Sequence, residues 1–241
     1  MNCFYSDDIV GNAVRLNEED AQHALKSLRL RDGANIVLVV NGKRYAALLE
    51  VRGREVWANL TVELPGTEAR TRITLYQGLV KGDKMDDIIR QCTEAGVHKI
   101  VPCLFARSVA RPRADQMQPR LLRWRKIARE AAMQSGRTMI PEVGGLLTFA
   151  SMTTELEKHR QALVPWEEAT AKSLPEAYDG SRDIAVVIGP EGGMEPDEIT
   201  QMKATPVTLG PRILRADTAG VVAIAALLAV AGDMRYTTPE K

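Results

Sequence analysis

The stretch Ile184-Ala185-Val186-Val187-Ile188-Gly189-Pro190-Glu191-Gly192-Gly193, followed by Met194-Glu195-Pro196-Asp197-Glu198-Ile199, decides the fold. Its apolar run 184–188 is continuous rather than alternating, which is typical of a strand covered on both faces in a parallel sheet. Gly192 and Gly193 favour a sharp turn, and Pro196 suits the first position of a helix. The stretch therefore predicts a strand, a turn and a helix, and ligands of open α/β sheets bind beyond such strand ends.

The composition of the turn limits which ligand it can bind. It has neither the Gly-Lys-Ser/Thr of a phosphate loop nor the G-x-G-x-x-G of a dinucleotide fold, and Glu191 is an anion that would repel a phosphate. A cationic or zwitterionic ligand is easier to accommodate. For this stretch taken alone, an ordinary connection without a ligand is the alternative.

Composition describes a globular protein of one large or two modest domains, with 241 residues, 45% hydrophobic residues and a net charge of +1. The three cysteines are odd in number and lack metal-type spacing, which favours a reducing compartment and no metal site. We find no signal-peptide pattern, and the longest apolar segment, 219–231, is shorter than the roughly 18 residues of a membrane span. We therefore expect a cytoplasmic protein that does not contact membranes.

The first part of the chain has the pattern of a small β domain. Residues 15–33 predict a short helix capped by Asn17, and the β-rich segments 35–40, 45–51 and 55–64 follow, the first two joined by a hairpin at Asn41-Gly42. The segment 64–70 is rich in turn-forming residues and indicates a linker. We place the domain boundary there, giving domains 1–68 and 69–241.

The second part alternates strands and helices. Strands are predicted at 73–80, 99–105, 161–164, 184–188 and 205–209, and helices at 83–95, 119–136, 149–159 and 218–231. This alternation predicts an α/β fold with a mostly parallel sheet. The last helix is apolar almost all round, so we expect it to be buried on every side and to favour a dimer.

Positive charge is concentrated between residues 107 and 137, where nine Arg and Lys residues face only Asp115 and Glu130. In a chain of near-zero net charge, such clustering predicts a surface that faces a polyanion. A solvated basic face is the alternative. A second basic group, His23, Lys26, Arg29 and Arg31, lies in the tail of the first helix.

Loops that follow three strands are expected to converge on one crevice, where backbone groups can hold an adenine. The residues assigned to this pocket are Leu163, Val164, Pro165, Ile188, Gly189, Pro190, Glu191, Gly192, Gly193, Leu209, Gly210, Ile213, Leu214, Arg215, Thr218 and Ala219. The loop 165–168 is expected to face the same crevice. Since no Ser-His-Asp or Cys-His set is evident, the site is of the kind that positions reactants.

Several blocks of the sequence resemble the bacterial ribosomal RNA small-subunit methyltransferase E family, which belongs to the knotted SPOUT methyltransferases. The matching blocks are His23 with Leu28-Arg29, Gln77-Gly78-Leu79-Val80-Lys81-Gly82-Asp83-Lys84-Met85, Glu94-Ala95-Gly96-Val97, Arg107-Ser108, Trp124-Arg125-Lys126-Ile127-Ala128-Arg129-Glu130-Ala131, Gln134-Ser135-Gly136-Arg137, Ile188-Gly189-Pro190-Glu191-Gly192-Gly193 and Leu209-Gly210-Pro211-Arg212-Ile213-Leu214-Arg215. Their order and spacing carry the resemblance.

The resemblance implies a PUA-like β-barrel followed by an α/β domain with a C-terminal trefoil knot. It further implies a homodimer that uses S-adenosylmethionine to methylate N3 of a uridine in the 16S ribosomal RNA of the 30S subunit. The acidic turn agrees with such a cofactor, which carries a sulfonium cation and no phosphate. One departure is visible, because Ala216-Asp217-Thr218 stands where the family has Thr-Glu-Thr.

Roles for individual residues follow from that resemblance. We expect Arg215, together with Arg107, to stabilise negative charge on the uracil oxygens. Glu191 and Asp217 are the candidates for the base. The expected RNA contacts are His23, Arg29, Lys81, Lys84, Arg111, Arg123, Lys126 and Arg137.

Two alternatives remain. Another SPOUT enzyme that methylates a ribose 2′-hydroxyl or a different base would share the fold, but the chain lacks the early Asn-x-Gly-x-x-x-Arg and the late Ser-Leu-Asn typical of that group. A non-enzymatic RNA-binding or ribosome-assembly factor is the other. The intact Gly192-Gly193 and 212–215 blocks weigh against it.

Overall fold

The computed structural model describes residues 2–235 and contains two compact units. The first unit comprises the residues up to Glu68 together with Ala132–Met139, and the second comprises Ala69–Ala131 together with the residues from Ile140 onward. Nothing in the sequence pattern indicates that residues 132–139 join the first unit.

The first unit is built on a six-stranded sheet with the strand order β1-β4-β5-β6-β3-β2. Its strands are β1 Cys3–Tyr5, β2 Ile9–Val10, β3 Ala13–Arg15, β4 Asn35–Val40, β5 Lys43–Arg52 and β6 Glu55–Leu64. Strands β1 and β4 are parallel, and the other neighbours are antiparallel. A short helix, α1 Glu18–Gln22, continues into a π-helical turn at His23–Ser27.

Local turn signals in this unit are confirmed, but the length of the first helix is not. Asn17 caps α1 by accepting a hydrogen bond from the backbone N–H of Asp20 at 2.8 Å, and Asn41 and Gly42 both have positive φ in the β4–β5 hairpin. The helix expected to reach residue 33 ends at Ser27 instead. Arg29, at φ +53, reverses the chain shortly after this end.

The second unit is built on a six-stranded parallel sheet with the order β12-β10-β11-β7-β8-β9. The strands are β7 Arg72–Gly78, β8 Lys99–Cys103, β9 Glu142–Val143, β10 Gln161–Pro165, β11 Asp183–Ile188 and β12 Thr205–Val207. The helices are α2 Lys84–Ala95, α3 Ala114–Ser135, α4 Phe149–Leu156, α5 Leu174–Ala177, α6 Pro196–Gln201 and α7 Ala216–Val230. The predicted α/β class and parallel sheet are confirmed.

Strand β11 shows why its sequence is apolar at every position. Ile184 and Val186 belong to the hydrophobic cluster on one face of the sheet, and Ala185 and Val187 belong to the cluster on the other face. All four side chains are fully buried. Burying a Val or Ile side chain contributes about 1.5–3 kcal/mol, so both faces favour the strand at this place.

Helix α3 differs from its prediction at its N-terminal end. Helix α3 begins at Ala114, five residues before the proline expected to open it, and includes Pro119. Met117 is buried within this earlier turn, so tertiary packing extends the helix despite the cost of an internal proline.

Within this chain, helix α7 is buried on one face, and the expected cover of its other face requires a second subunit. Ala223 and Leu227 are fully buried, whereas Val222 and Val230 are 36% and 44% exposed. The helix packs on α2, α5, β7 and β11. Its other face therefore presents apolar side chains. Within residues 2–235, no helix has the length and apolar character that crossing a membrane requires.

Candidate active site

A cleft of about 450 Å³ opens at the carboxyl ends of β10 and β11. Its lining comprises Lys84, Pro165, Trp166, Glu167, Ile188, Gly189, Pro190, Glu191, Gly192, Gly193, Met194, Ile213, Leu214, Arg215, Ala216 and Ala219. The volume lies in the range of small-molecule sites, and the position is where open parallel sheets bind ligands.

The turn that follows β11 is packed tightly against its surroundings. A Cβ atom on Gly78, at the end of β7, would lie 2.4 Å from the backbone nitrogen of Pro190, and one on Gly189 would lie 2.8 Å from the Cγ of Met194. Gly193 has φ +73, and its N–H donates to the carbonyl oxygen of Pro190 at 3.0 Å. Glycine is therefore required here by the protein's own backbone.

A buried carboxylate fixes the neighbouring loop. Glu198 accepts hydrogen bonds from the backbone N–H of Ala106 at 2.8 Å and from that of Glu195 at 2.9 Å. These bonds join the loop after β8 to the start of α6. Arg107 follows directly, with its Nη1 3.5 Å from the carbonyl oxygen of Gly192 and its Nε 3.7 Å from Glu195 Oε1. Arg107 thus contacts the turn but is not one of the residues that line the cleft.

Glu191 is held in place by neighbouring groups. Its Oε1 accepts the backbone N–H of Lys81 at 3.1 Å and the Nζ of Lys84 at 3.4 Å. Burial acts to raise the pKa of Glu191, but the hydrogen bonds from the backbone of Lys81 and of Glu191 itself and from Lys84 hold it below its ordinary value. Lys84 also lies 3.9 Å from Asp217 Oδ2.

The second wall of the cleft is more open. Ile213 is 84% exposed, and Arg215 is the N-cap residue of α7 with its side chain in the cleft lining. Gly210, at φ +105, starts this loop, and a Cβ atom at its position would meet nothing within 4 Å. The loop therefore combines an anchored residue, Leu214, which packs against the hydrophobic core, with the exposed Ile213.

Most residues assigned to the pocket from sequence line the cleft, namely Pro165, Ile188, Gly189, Pro190, Glu191, Gly192, Gly193, Ile213, Leu214, Arg215 and Ala219. Leu163 and Val164 are fully buried in the sheet. Leu209, Gly210 and Thr218 do not line the cleft; Thr218 adjoins the lining residue Ala219, whereas Leu209 and Gly210 lie four and three positions before the first lining residue of this loop, Ile213. The prediction omitted Lys84, Met194 and Ala216, and the only signal for Lys84 was its place just after a strand end.

The residues assigned to RNA divide into two groups. His23, Arg29, Lys81 and Lys126 are exposed. Arg111 and Arg123 are exposed as well, but Arg111 donates to the carbonyl oxygens of Phe105 and Ala106, and Arg123 pairs with Asp86 and Asp83. Lys84 lies in the cleft.

The structure contradicts the prediction that Arg137 contacts RNA. It is only 4% exposed, and its Nη2 lies 2.5 Å from Glu68 Oε2 within the first unit. Because a buried, paired guanidinium is not available to a phosphate, Arg137 has a structural role.

Within residues 2–235, no group of three or more His, Cys, Asp or Glu side chains is arranged to hold a metal ion.

Comparison with known proteins identifies relatives over nearly the whole chain. The RNA methyltransferase domain family matches residues 67–228. Ribosomal RNA small subunit methyltransferase E of Mycobacterium bovis is 32% identical over 235 residues, covering 93% of this chain and 90% of the relative. The Bacillus subtilis protein of the same name is 29% identical over 222 residues, covering 87% of each chain.

A solved structure agrees with these sequence matches. The ribosomal RNA small subunit methyltransferase E of Neisseria gonorrhoeae, bound to S-adenosyl methionine, superimposes with a TM-score of 0.84 at 30% identity, covering 95% of this chain and 97% of that one. The chain therefore belongs to the ribosomal RNA small subunit methyltransferase E family.

Proposed function

We propose that this protein is an S-adenosylmethionine-dependent methyltransferase that methylates N3 of a specific uridine in the 16S ribosomal RNA of the 30S subunit. The observation that carries the proposal is the cleft at the carboxyl ends of β10 and β11, lined by the Gly189–Gly193 turn, in a chain of this family. A neighbour of the same family binds the same cofactor.

The cleft suits a zwitterionic cofactor. Pro165, Ile188 and Leu214 supply apolar surface, and Glu191 and Glu167 supply negative charge. When bound, S-adenosylmethionine supplies a methyl group made electrophilic by its sulfonium sulfur. The carboxylates favour such a cation, and no group in the turn is suited to a phosphate. The shape and charge of the site therefore fit this cofactor.

Positively charged side chains would act on the substrate. Arg215 lines the cleft, and Arg107 is held on the turn. We assign both to stabilising the negative charge that spreads onto the uracil oxygens when N3 loses its proton. The protein otherwise positions the base and excludes water.

The exposed side chains of His23, Arg29, Lys81 and Lys126 are the proposed phosphate contacts, so affinity for RNA falls as salt rises. The first unit is the proposed PUA-like RNA-binding domain, and the C-terminal part of the second unit is the proposed trefoil knot. The exposed apolar face of α7, with Val222 and Val230, is the proposed homodimer contact. The enzyme would act in the cytoplasm, where ribosomal subunits are assembled.

The test is incubation with labelled S-adenosylmethionine and small subunits that lack the modification, followed by nucleoside analysis. We expect label in N3-methyluridine of the 16S RNA. Label in a ribose 2′-O-methyl group or another base would indicate a different RNA methyltransferase. Cofactor binding without any incorporation would contradict the proposal and favour a binding or assembly factor.

A further inference from the structure

Three charged side chains from separate segments meet beside the cleft. Lys84 comes from the first turn of α2, Glu191 from the turn after β11, and Asp217 from the first turn of α7. The Lys84 Nζ lies 3.4 Å from Glu191 Oε1 and 3.9 Å from Asp217 Oδ2. One cation, Lys84, therefore lies near two carboxylates, and these differ in how many hydrogen bonds they accept.

The Glu191 carboxylate is held by hydrogen bonds from within the protein. Its Oε1 accepts the backbone N–H of Lys81 and the Nζ of Lys84. Protonating this carboxylate would weaken both interactions. Glu191 is thus suited to holding the turn and poorly suited to accepting a proton in each turnover.

Asp217 is held more loosely. Its Oδ1 accepts the hydroxyl of Thr218 at 3.3 Å, and its Oδ2 is 3.9 Å from Lys84, beyond hydrogen-bond distance. An ionised carboxylate has about four lone-pair sites, so acceptor capacity remains. Asp217 lies at the edge of the cleft: it is not a lining residue itself, but the two residues before it, Arg215 and Ala216, line the cleft, and its side chain is 26% exposed.

We propose that Asp217 accepts the N3 proton of the target uridine. In this step negative charge moves from the Asp217 carboxylate to the uracil ring, and the positive charge of Lys84 stabilises it. The inference rests on the proposed function and deepens it by naming the base. The proton passes to the Asp217 carboxylate, the N3 electron pair forms the bond to the methyl carbon, and the methyl–sulfur bond breaks with its electrons remaining on sulfur. The negative carboxylate and the positive sulfonium are both neutralised, so charge balances.

The charged groups beside Asp217 come from three elements, and each affects the proton transfer. They are Lys84 from α2, Glu191 from the turn and Arg215 from the start of α7 itself. Lys84 and Arg215 bring positive charge to this edge of the cleft, and Glu191 brings negative charge. Asp217 is also the position at which this chain has an acid one methylene shorter than its family.

The test compares Asp217→Asn with Asp197→Asn. Asp197 is a matched control because it is an exposed aspartate at the same second position of α6, and neither of its chain neighbours lines the cleft, whereas Asp217 directly follows two lining residues. We expect Asp217→Asn to slow single-turnover methylation of small subunits by about 100-fold or more, the usual contribution of a general base. Cofactor affinity by calorimetry and unfolding by denaturant should change little, and Asp217→Glu should retain most of the rate.

Two further measurements separate proton transfer from a structural role. Small subunits containing 5-fluorouridine have a more acidic N3–H, so the deficit of Asp217→Asn should shrink by about tenfold, and raising the pH should shrink it in the same direction. A structural defect would respond to neither. An Asp217→Asn variant with a wild-type rate, a deficit unchanged by 5-fluorouridine, or an equal loss of cofactor affinity would each overturn the assignment.

The activity of the wild-type protein distinguishes a failure of the proposed function from a failure of the assignment of Asp217 as the base. If it transfers no methyl group to uridine N3, the proposed function fails, and the role of Asp217 fails with it. If it does and Asp217→Asn is unimpaired, only the assignment of the base is wrong.

Discussion

The two walls of the cleft are built differently. The Gly189–Gly193 turn is packed from behind by Gly78 and Met194 and held by the side chains of Arg107 and Lys84. The loop 210–215 has Ile213 84% exposed. The first wall is therefore packed into the fold, whereas the second wall contains a side chain, Ile213, that can gain contacts when a ligand binds. Substitutions in the first wall should cost stability, and those in the second should cost affinity.

Gly78→Ala should have the largest effect. The added Cβ would meet backbone atoms of Gly189 and Pro190 at 2.4–2.6 Å, and backbone cannot move aside as a flexible side chain can. We expect a loss of about 3 kcal/mol in the free energy of unfolding, at the upper end of overpacking, measured by denaturant titration. Gly145→Ala is the control, since its Cβ would meet nothing within 4 Å. Equal stability of the two variants would show that the turn is not packed as described.

Glu198→Ala should rank second. It removes the acceptor for two backbone N–H groups, and we expect a loss of about 2 kcal/mol of stability because hydrogen bonds to a charged group are involved. Glu198→Gln keeps one acceptor oxygen and should lose less. The exposed Glu168→Gln is the control, measured by the same titration. If Glu198→Ala lost no more stability than this control, the two bonds would not hold the Arg107 loop.

Ile213→Ala tests the open wall. Because the side chain is 84% exposed, stability should change by less than about 0.5 kcal/mol. Affinity for S-adenosylmethionine, measured by calorimetry, should fall by about three- to tenfold, which corresponds to about 1 kcal/mol of lost apolar burial. Val109→Ala, 60% exposed and outside the cleft lining, should leave affinity unchanged. A large loss of stability in Ile213→Ala would remove the contrast between the walls.

The smallest effect should appear in the pH dependence of stability. The pKa of Glu191 is lower in the folded protein than its ordinary value of 4.5, mainly because hydrogen bonds outweigh burial. Its stabilisation is therefore present above pH 4.5 and is lost as the pH falls through the lower folded value. In Glu191→Gln, unfolding free energy should lose this acid dependence, by less than about 1 kcal/mol as for a partly exposed pair. An unaltered acid dependence would contradict the role of Glu191 in the turn.

Features set by neighbours in the chain were predictable. Strand β6 occupies the predicted residues 55–64, and the hairpin at Asn41-Gly42 has the positive φ angles those residues favour. Strand β11 follows from a continuous apolar run, which only burial on both faces explains. In the site, the Gly-Pro-Glu-Gly-Gly sequence predicted the turn, and the same segment lines the cleft.

Features set by distant partners were not predictable. Arg137 belongs to a basic cluster in sequence but pairs with Glu68, 69 residues away. Lys84 was predicted from sequence to contact RNA, whereas in the structure it lies beside Glu191, which is 107 residues away in the chain. No local pattern records such pairs, because the free energy of a charged side chain depends on what surrounds it in space.

The sequence by itself determined the α/β class, the parallel sheet and the glycine-rich turn, because hydrophobic period and glycine conformation act over a few residues. Only the tertiary structure decided which cations remain exposed, which face of α7 is covered, and how Lys84 is shared between Glu191 and Asp217. These outcomes depend on burial and pairing between segments brought together by folding.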